Sequence, residues 1–222
     1  QVYESNASML IAAVRAAGLP APSVLHARDE NAALSDAIQN ILASSDILLL
    51  TGGVSVGKYD LVKPTLMAAG TEILFHKIAQ KPGKPLLFGR RGETLVFGLP
   101  GNPAAVLTCF YVYVLPALRK MQGAAEIHTE KRRLPVLKSI RTKPGLTHFL
   151  KGKTMNGGVM PLEGQESFIL KSFAEADALI CLPFLRARVA LQLAAVDALP
   201  HAGSEPRRIE RHPALGAAPA GG

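Results

Sequence analysis

Aromatic residues are scarce in this chain, at 5% of 222 residues with no tryptophan. Proteins that bind single-stranded nucleic acid stack bases on aromatic side chains, so this scarcity argues against such a platform. Cysteine is scarcer still. Cys109 and Cys181 lie far apart, each inside an apolar run, with no CxxC pair and no His/Cys spacing of the kind that ligates zinc. Both are expected to be buried reduced thiols of a cytoplasmic protein. No signal peptide is found, and the longest apolar run, "AAVLTCFYVYVLPAL", is too short to span a bilayer and is interrupted by Pro116. The sequence also lacks a nucleophile elbow, a Walker A motif and a GxGxxG fingerprint. His26, His76 and His128 show no metal-ligand spacing, and all six histidines are expected to be structural or exposed.

Hydrophobic residues make up 48% of the chain, enough for a sizeable core, and 25 Lys+Arg against 17 Asp+Glu leave a net charge of +8. No helix carries a basic stripe, so a solvated basic surface or a site for small anions fits better than a nucleic-acid or membrane partner.

Residues 1–125 alternate helical and strand signals. "SNASMLIAAVRAAG" opens at a cap on Ser5 or Asn6 and stops at Gly18, and "ENAALSDAIQNILASS" repeats the helical period. "SVLHAR" reads as a short strand, "DILLLTGG" as a strand buried on both faces of a parallel sheet, and "TEILFHKIAQ" as a further strand. "DLVKPTLMAAG" is helical, "PLLFG" and "TLVFG" form a hairpin around "RRGE", and a long apolar helix runs from Pro103 to Met121. This alternation predicts an α/β fold, a three-layer doubly wound, mostly parallel sheet. In residues 126–200 the pattern changes to short runs such as "RLPVLKSI", "THFLKGK", "GVMPLE", "SFILKSF" and "ADALICLP", which predict a small antiparallel β-barrel, closed or nearly so. Residues 201–222 have no period and are expected to be a disordered tail.

Ligands of open α/β sheets sit at the carboxyl ends of the strands, and three unusual loops fall there. In "TGGVSVGKYD", Gly52, Gly53 and Gly57 let backbone approach a ligand, and Thr51 and Ser55 add hydroxyls ahead of a helix start that favours phosphate. Asp60 is as consistent with a helix cap as with a metal or phosphate role. "HKIAQKPGKP" supplies Lys77, Lys81 and Lys84 on a proline-stiffened loop; on a strand, Lys77 and Lys81 would share a face, which favours an oxyanion site over a solvated cluster. In "FGLPGNP", Asn102 and Pro103 fit a helix cap and first turn, but a glycine on each side of Leu99-Pro100 implies close passage of something past the backbone. Asp29, Lys151 and Ser167, taken alone, read as caps or surface residues.

Together, "GGVSVGKYD", "KPGKP" and "GLPGNP" resemble the molybdopterin molybdenumtransferase family of MoeA and the gephyrin E domain, and the resemblance runs from "QVYESNASML" to about "ALICLP". It implies a molybdopterin-binding α/β domain, similar to MoaB and Mog, followed by a small β-barrel. It further implies that molybdenum from molybdate is inserted at the dithiolene sulfurs of adenylylated molybdopterin, with release of AMP and dependence on Mg²⁺. By the same resemblance Asp29 and Asp60 would act around the metal and the pterin phosphate. Lys77 and Lys81 would flank the oxyanion with Lys84 beside them, and Pro100 and Pro103 would be functional prolines around Gly101 and Asn102. Ser167 would add a hydroxyl, and Lys151 stands where the family has an arginine. Full-length members form a homodimer and carry an N-terminal region, ending in a "TGDE"-like strand, that does not appear here. After "ICLP" the sequence does not read as the family's last barrel strand. Alternatives are a molybdopterin adenylyltransferase, which would lack the barrel, and a non-catalytic pterin-binding or scaffold module.

Overall fold

The computed structural model describes residues 5–27, 30–53, 61–129, 131–184, 188–189 and 193–199, the backbone alone for 188–189 and 193–198. The expected tail, 201–222, lies outside them. Helices α1 (Asn6–Ala16), α2 (Asn31–Ser44) and α3 (Val62–Ala68) appear where the 3.6-residue period places them. They surround a sheet of β1 (Ile47–Thr51), β2 (Glu72–His76), β4 (Leu87–Arg91) and β5 (Thr94–Leu99) in the order β1-β5-β4-β2.

The layering follows from strand alternation. Val96 of β5 packs with Leu48, Ile38 and Leu66 under α2 and α3, whereas Phe97 and Leu99 join Leu10, Val14, Val106 and Phe110 under α1 and the long apolar helix. The sheet is mixed, not mostly parallel: among described pairings β1–β5 is parallel, and β5–β4 and β4–β2 are antiparallel. The tight turn at Gly92 returns the chain beside itself, and a hairpin can only be antiparallel. Ile47–Thr51 is an edge strand with β5 as its one described neighbour, so only Leu48 is buried, in contrast to the expected two-sided burial. The expected strand "SVLHAR" is irregular over its described residues, and Val24 and Leu25 are 44% and 57% exposed, without a ladder to hold them.

The long helix has three parts: α4 (Pro103–Cys109), a π-helical turn (Phe110–Val114) and α5 (Leu115–Met121). Pro116 cannot bond back to the carbonyl four residues earlier, and the helix widens just before it. By length and composition this helix could cross a membrane, but Val106, Phe110, Val114 and Leu115 have no exposed surface.

The second sheet contains β3 (Gln80–Lys81), β6 (Lys131–Pro135), β8 (Thr147–Met155), β10 (Ala178–Leu182) and β12 (Leu193–Ala198) in the order β3-β8-β10-β12-β6, with β9 (Gly158–Pro161) on β8. Short β7 (Ile140–Arg141) pairs separately with β11 (Arg188–Val189). Three expectations change here. A last strand does exist, since β12 lies between β10 and β6. The sheet curls without a continuous closing ladder: one bridge, Val136 to Val159, joins its ends, just beyond Pro135, which has no N–H to extend the pairing. "SFILKSF" is a turn plus the helix α6 (Lys171–Glu175), not a strand. Phe173, Ala176, Leu179 and Leu199 pack into the same cluster as Phe110 and Leu115, so the two sheets share this core cluster, while Val136, Val159 and Ile180 form a separate one within the second sheet.

Candidate functional site

Above that shared core lies a cavity of about 920 Å³. Its α/β wall is built by the end of β1 and two loops: Gly52, Gly53, Lys81, Pro82, Gly83, Lys84, Pro85, Pro100, Gly101 and Asn102. The β-sheet wall brings Lys138, Arg141, Lys143, His148 and Ser167. The structure thus gathers eight of the candidate residues: Gly52, Gly53, Lys81, Lys84, Pro100, Gly101, Asn102 and Ser167.

Among the described residues Thr51, Lys77, Pro103 and Lys151 do not line it. Asp29, Ser55, Gly57 and Asp60 lie outside the described residues. Strand β2 ends at His76, and Lys77 follows in a left-handed conformation (φ 68) with its N–H bonded to the Leu86 carbonyl at 2.9 Å. Lys81 belongs to the other sheet, opposite His148 in a parallel pairing with β8, so the two lysines share no strand face. The proline-rich loop is therefore the strap that carries the chain from one sheet to the other, and this puts Lys81 at the seam.

The "LPGNP" turn is tied from both sides. Asn6 at the start of α1, read in sequence as a possible cap, instead donates from Nδ2 to the Gly101 carbonyl at 2.9 Å. Asn102 occupies the cap position of α4 but makes no side-chain cap bond; its amide donates to Ser167 Oγ at 2.8 Å. The Ala104 N–H donates to the Ser167 carbonyl at 3.0 Å, so Ser167 takes over the cap across the seam.

Lys151 is 3% exposed. Its ammonium donates to the carbonyls of Gly164 (2.7 Å), Ile169 (3.3 Å) and Glu166 (3.4 Å) and lies 5.7 Å from the Phe173 ring centroid. Burial lowers its pKa, partly opposed by the Glu166 charge. A buried charge persists only when its hydrogens are satisfied, and here the turn carrying Ser167 satisfies them. Lys151 holds that turn from behind rather than reaching the cavity.

Lys138, Arg141, Lys143 and His148 were missed by sequence reasoning. A signal existed: "KPG" at 143–145 repeats the triplet at 81–83. Lys138 is paired with Glu163 at 2.6 Å, and the buried His148 ring is 3.2 Å from the Lys143 carbonyl. Cys109 is buried, with burial raising its thiol pKa to about 12, whereas Cys181 is only half-buried.

A family model described as a probable molybdopterin binding domain matches residues 1–120, more than half the chain. The chain belongs to that family. After the probable molybdopterin-binding domain, a second family model, the MoeA C-terminal region (domain IV), matches residues 133–190. A curated relative named molybdopterin molybdenumtransferase, from Nostoc sp., is 33% identical over 201 residues, covering 82% of this chain and 44% of its own length. Molybdopterin molybdenumtransferase 2 of Mycobacterium tuberculosis is 31% identical over 190 residues, covering 82% and 47%. A solved molybdopterin biosynthesis MoeA protein of Pyrococcus horikosii aligns with TM-score 0.73 and 26% identity, over 90% of this chain and 49% of that one. The chain spans about half the length of the curated relatives it matches. The family resemblance drawn in sequence holds over both the α/β domain and the appended β-sheet.

Whether the described site suits a divalent cation can be judged from its donors. Among the described residues no group of three His, Cys, Asp or Glu side chains could hold a metal ion, and Glu163 on the cavity wall is already ion-paired. The described cavity is cationic, suited to anions rather than to a metal ion by itself.

Proposed function

We propose that this chain works in molybdenum cofactor biosynthesis as the molybdenum-inserting part of a molybdopterin molybdenumtransferase. It takes adenylylated molybdopterin and molybdate, joins molybdenum to the dithiolene sulfurs and releases AMP. The observation that carries this reading is that Lys81 and Lys84 share one cavity with Lys138, Arg141 and Lys143, between a molybdopterin-binding domain and a MoeA-type β-sheet. Both substrates are anions, and ammonium and guanidinium groups hold oxyanions through short charge-assisted hydrogen bonds. Lys81 and Lys84 grip the molybdate and pterin phosphate from the α/β side, and Arg141 and Lys143 grip the adenylate phosphate from the other. The glycines at 52, 53 and 101 let the pterin approach backbone. Asn102 and Ser167 orient the site, and Pro100 and Pro103 set the turn that carries them. Thr51 and Lys77 act from the margin, Lys77 through its charge, while Lys151 holds the Ser167 turn. Asp29 and Asp60, with Ser55 and Gly57, would bring Mg²⁺ and the pterin phosphate together. The protein works in the cytoplasm and forms the homodimer implied by its family, and its domains divide at 1–125 and 126–200.

The test is anaerobic molybdenum insertion by the chain, read as AMP release and transfer of active cofactor to an apo-enzyme, with Lys81→Ala alongside. Turnover lost in Lys81→Ala supports the transferase. Pterin binding without turnover would leave a binding module instead, and neither turnover nor binding would overturn the reading.

A further inference from the structure

The lysine strap raises a physical problem. Pro82 and Pro85 have no N–H, so a loop that must hold two exposed like charges has few backbone bonds of its own. Lys81 is paired with His148 on β8, the Ile78 N–H donates to the Lys84 carbonyl at 2.9 Å, and the Leu86 N–H donates to the Gly83 carbonyl at 3.1 Å. Pro82, between the two lysines, is tied by a side chain. Gln80 is 2% exposed, and its Nε2 donates to the Pro82 carbonyl at 2.9 Å and lies 3.7 Å from the Cys109 sulfur. Its Oε1 accepts the Tyr113 hydroxyl at 2.5 Å, from the π-helical turn of the core helix. These partners fix the amide's orientation, because only the NH₂ end can serve a carbonyl. The floor is packed to contact: a Cβ at Gly83, whose φ is +99, would lie 2.6 Å from both Gln80 Nε2 and the Cys109 sulfur.

We infer that Gln80, held by Tyr113, is a positioning residue that presets the Lys81–Lys84 strap in its anion-binding conformation, linking the core helix to the site. The inference rests on the reading of that strap as an anion site. Burial raises the Tyr113 phenol to about 12 and keeps it a hydrogen-bond donor at neutral pH. A strap held before the anion arrives does not have to be ordered by it, and that saving appears as affinity. The Asn102, Ser167 and Lys151 ties serve the other loops, whereas Gln80 ties the strap that carries the lysines.

The test titrates molybdate calorimetrically into the wild-type chain, Gln80→Met, Tyr113→Phe, Lys81→Ala and the Gln80→Met/Lys81→Ala double variant. Hydrogen exchange at Ile78 and Leu86 is followed in parallel. Gln80→Met, which keeps the side-chain volume, should weaken molybdate about tenfold and Tyr113→Phe about threefold, the scale of one buried hydrogen bond. In the Lys81→Ala background Gln80→Met should cost a smaller factor, because only Lys84 is left for the strap to place; a general loss of stability would give the same factor in both backgrounds. Equal factors, or unchanged Ile78 and Leu86 exchange in Gln80→Met, would overturn the positioning role. Wild-type protein that binds no molybdate would instead overturn the anion-site reading, and exchange would still report whether Gln80 holds the strap. If Gln80→Met fails to fold, Tyr113→Phe carries the same comparison.

Discussion

On the α/β side of the cavity the cations stand on a strap packed against the core. A Cβ added at Gly83 would run into Gln80 and Cys109, and the strap's carbonyls are taken by Gln80, Ile78 and Leu86. On the β-sheet side the ties are made by charged side chains. Lys138 is held by an exposed ion pair with Glu163, and the Ser167 turn by one buried ammonium reaching three carbonyls. The difference teaches that one wall is set by packing, which tolerates little change, and the other by electrostatics, which pH and salt can adjust.

Gly83→Ala should break the packed wall most severely. It places a methyl in a floor already at contact and in a left-handed conformation, a loss of about 2–4 kcal/mol in thermal or denaturant unfolding. A shift within error would mean that the strap is not held by its floor. Lys151→Met comes next, on the electrostatic wall. It leaves carbonyls of the Ser167 turn without their donor, an expected cost of about 1–3 kcal/mol. It should also flatten a pH dependence. Because the folded pKa of Lys151 lies below its unfolded value of 10.5, the unfolded chain binds the extra proton between the two. The contribution of this group therefore makes the wild type gain stability as pH rises through that alkaline window, and Lys151→Met should lack this gain. Asn6→Ala, which frees the Gly101 carbonyl, should lower stability by about 1 kcal/mol and weaken pterin binding by a similar factor to Tyr113→Phe. The smallest effect sharpens the comparison: Glu163→Gln releases Lys138 and should leave stability unchanged while strengthening anion binding about twofold at low salt, less at high salt.

Much of the α/β side was legible because local rules determine it. The helical periods of α1 and α2, the hairpin around Gly92 and the first-turn Pro103 appear where sequence places them. Three segments, "SFILKSF" among them, were misread because strands depend on partners. "SVLHAR" has the composition of a strand but no ladder, and "LAAVDA" completes a sheet whose neighbours β10 and β6 come from 178–182 and 131–135. Lys77 was placed on Lys81's face by assuming that one strand continued through them, whereas the chain turns left-handed at Lys77 and changes sheets. The cations of the β-sheet wall were illegible for the same reason: Arg141 and Lys143 approach Lys81 only because Gln80–Lys81 pairs with Thr147–His148. Lys151 reads alone as a surface residue and only by resemblance as a site residue, but the carbonyls of Gly164, Glu166 and Ile169 turn it inward.

The central claim is that cations from both walls hold one anionic ligand. The most direct measurement is calorimetric titration of adenylylated molybdopterin into the wild-type chain, Lys81→Ala and Arg141→Ala. Each substitution removes one charge-assisted contact and should weaken binding by roughly 10–100-fold. Loss in Lys81→Ala with wild-type affinity in Arg141→Ala, or no change in either, would contradict a site shared between the two walls.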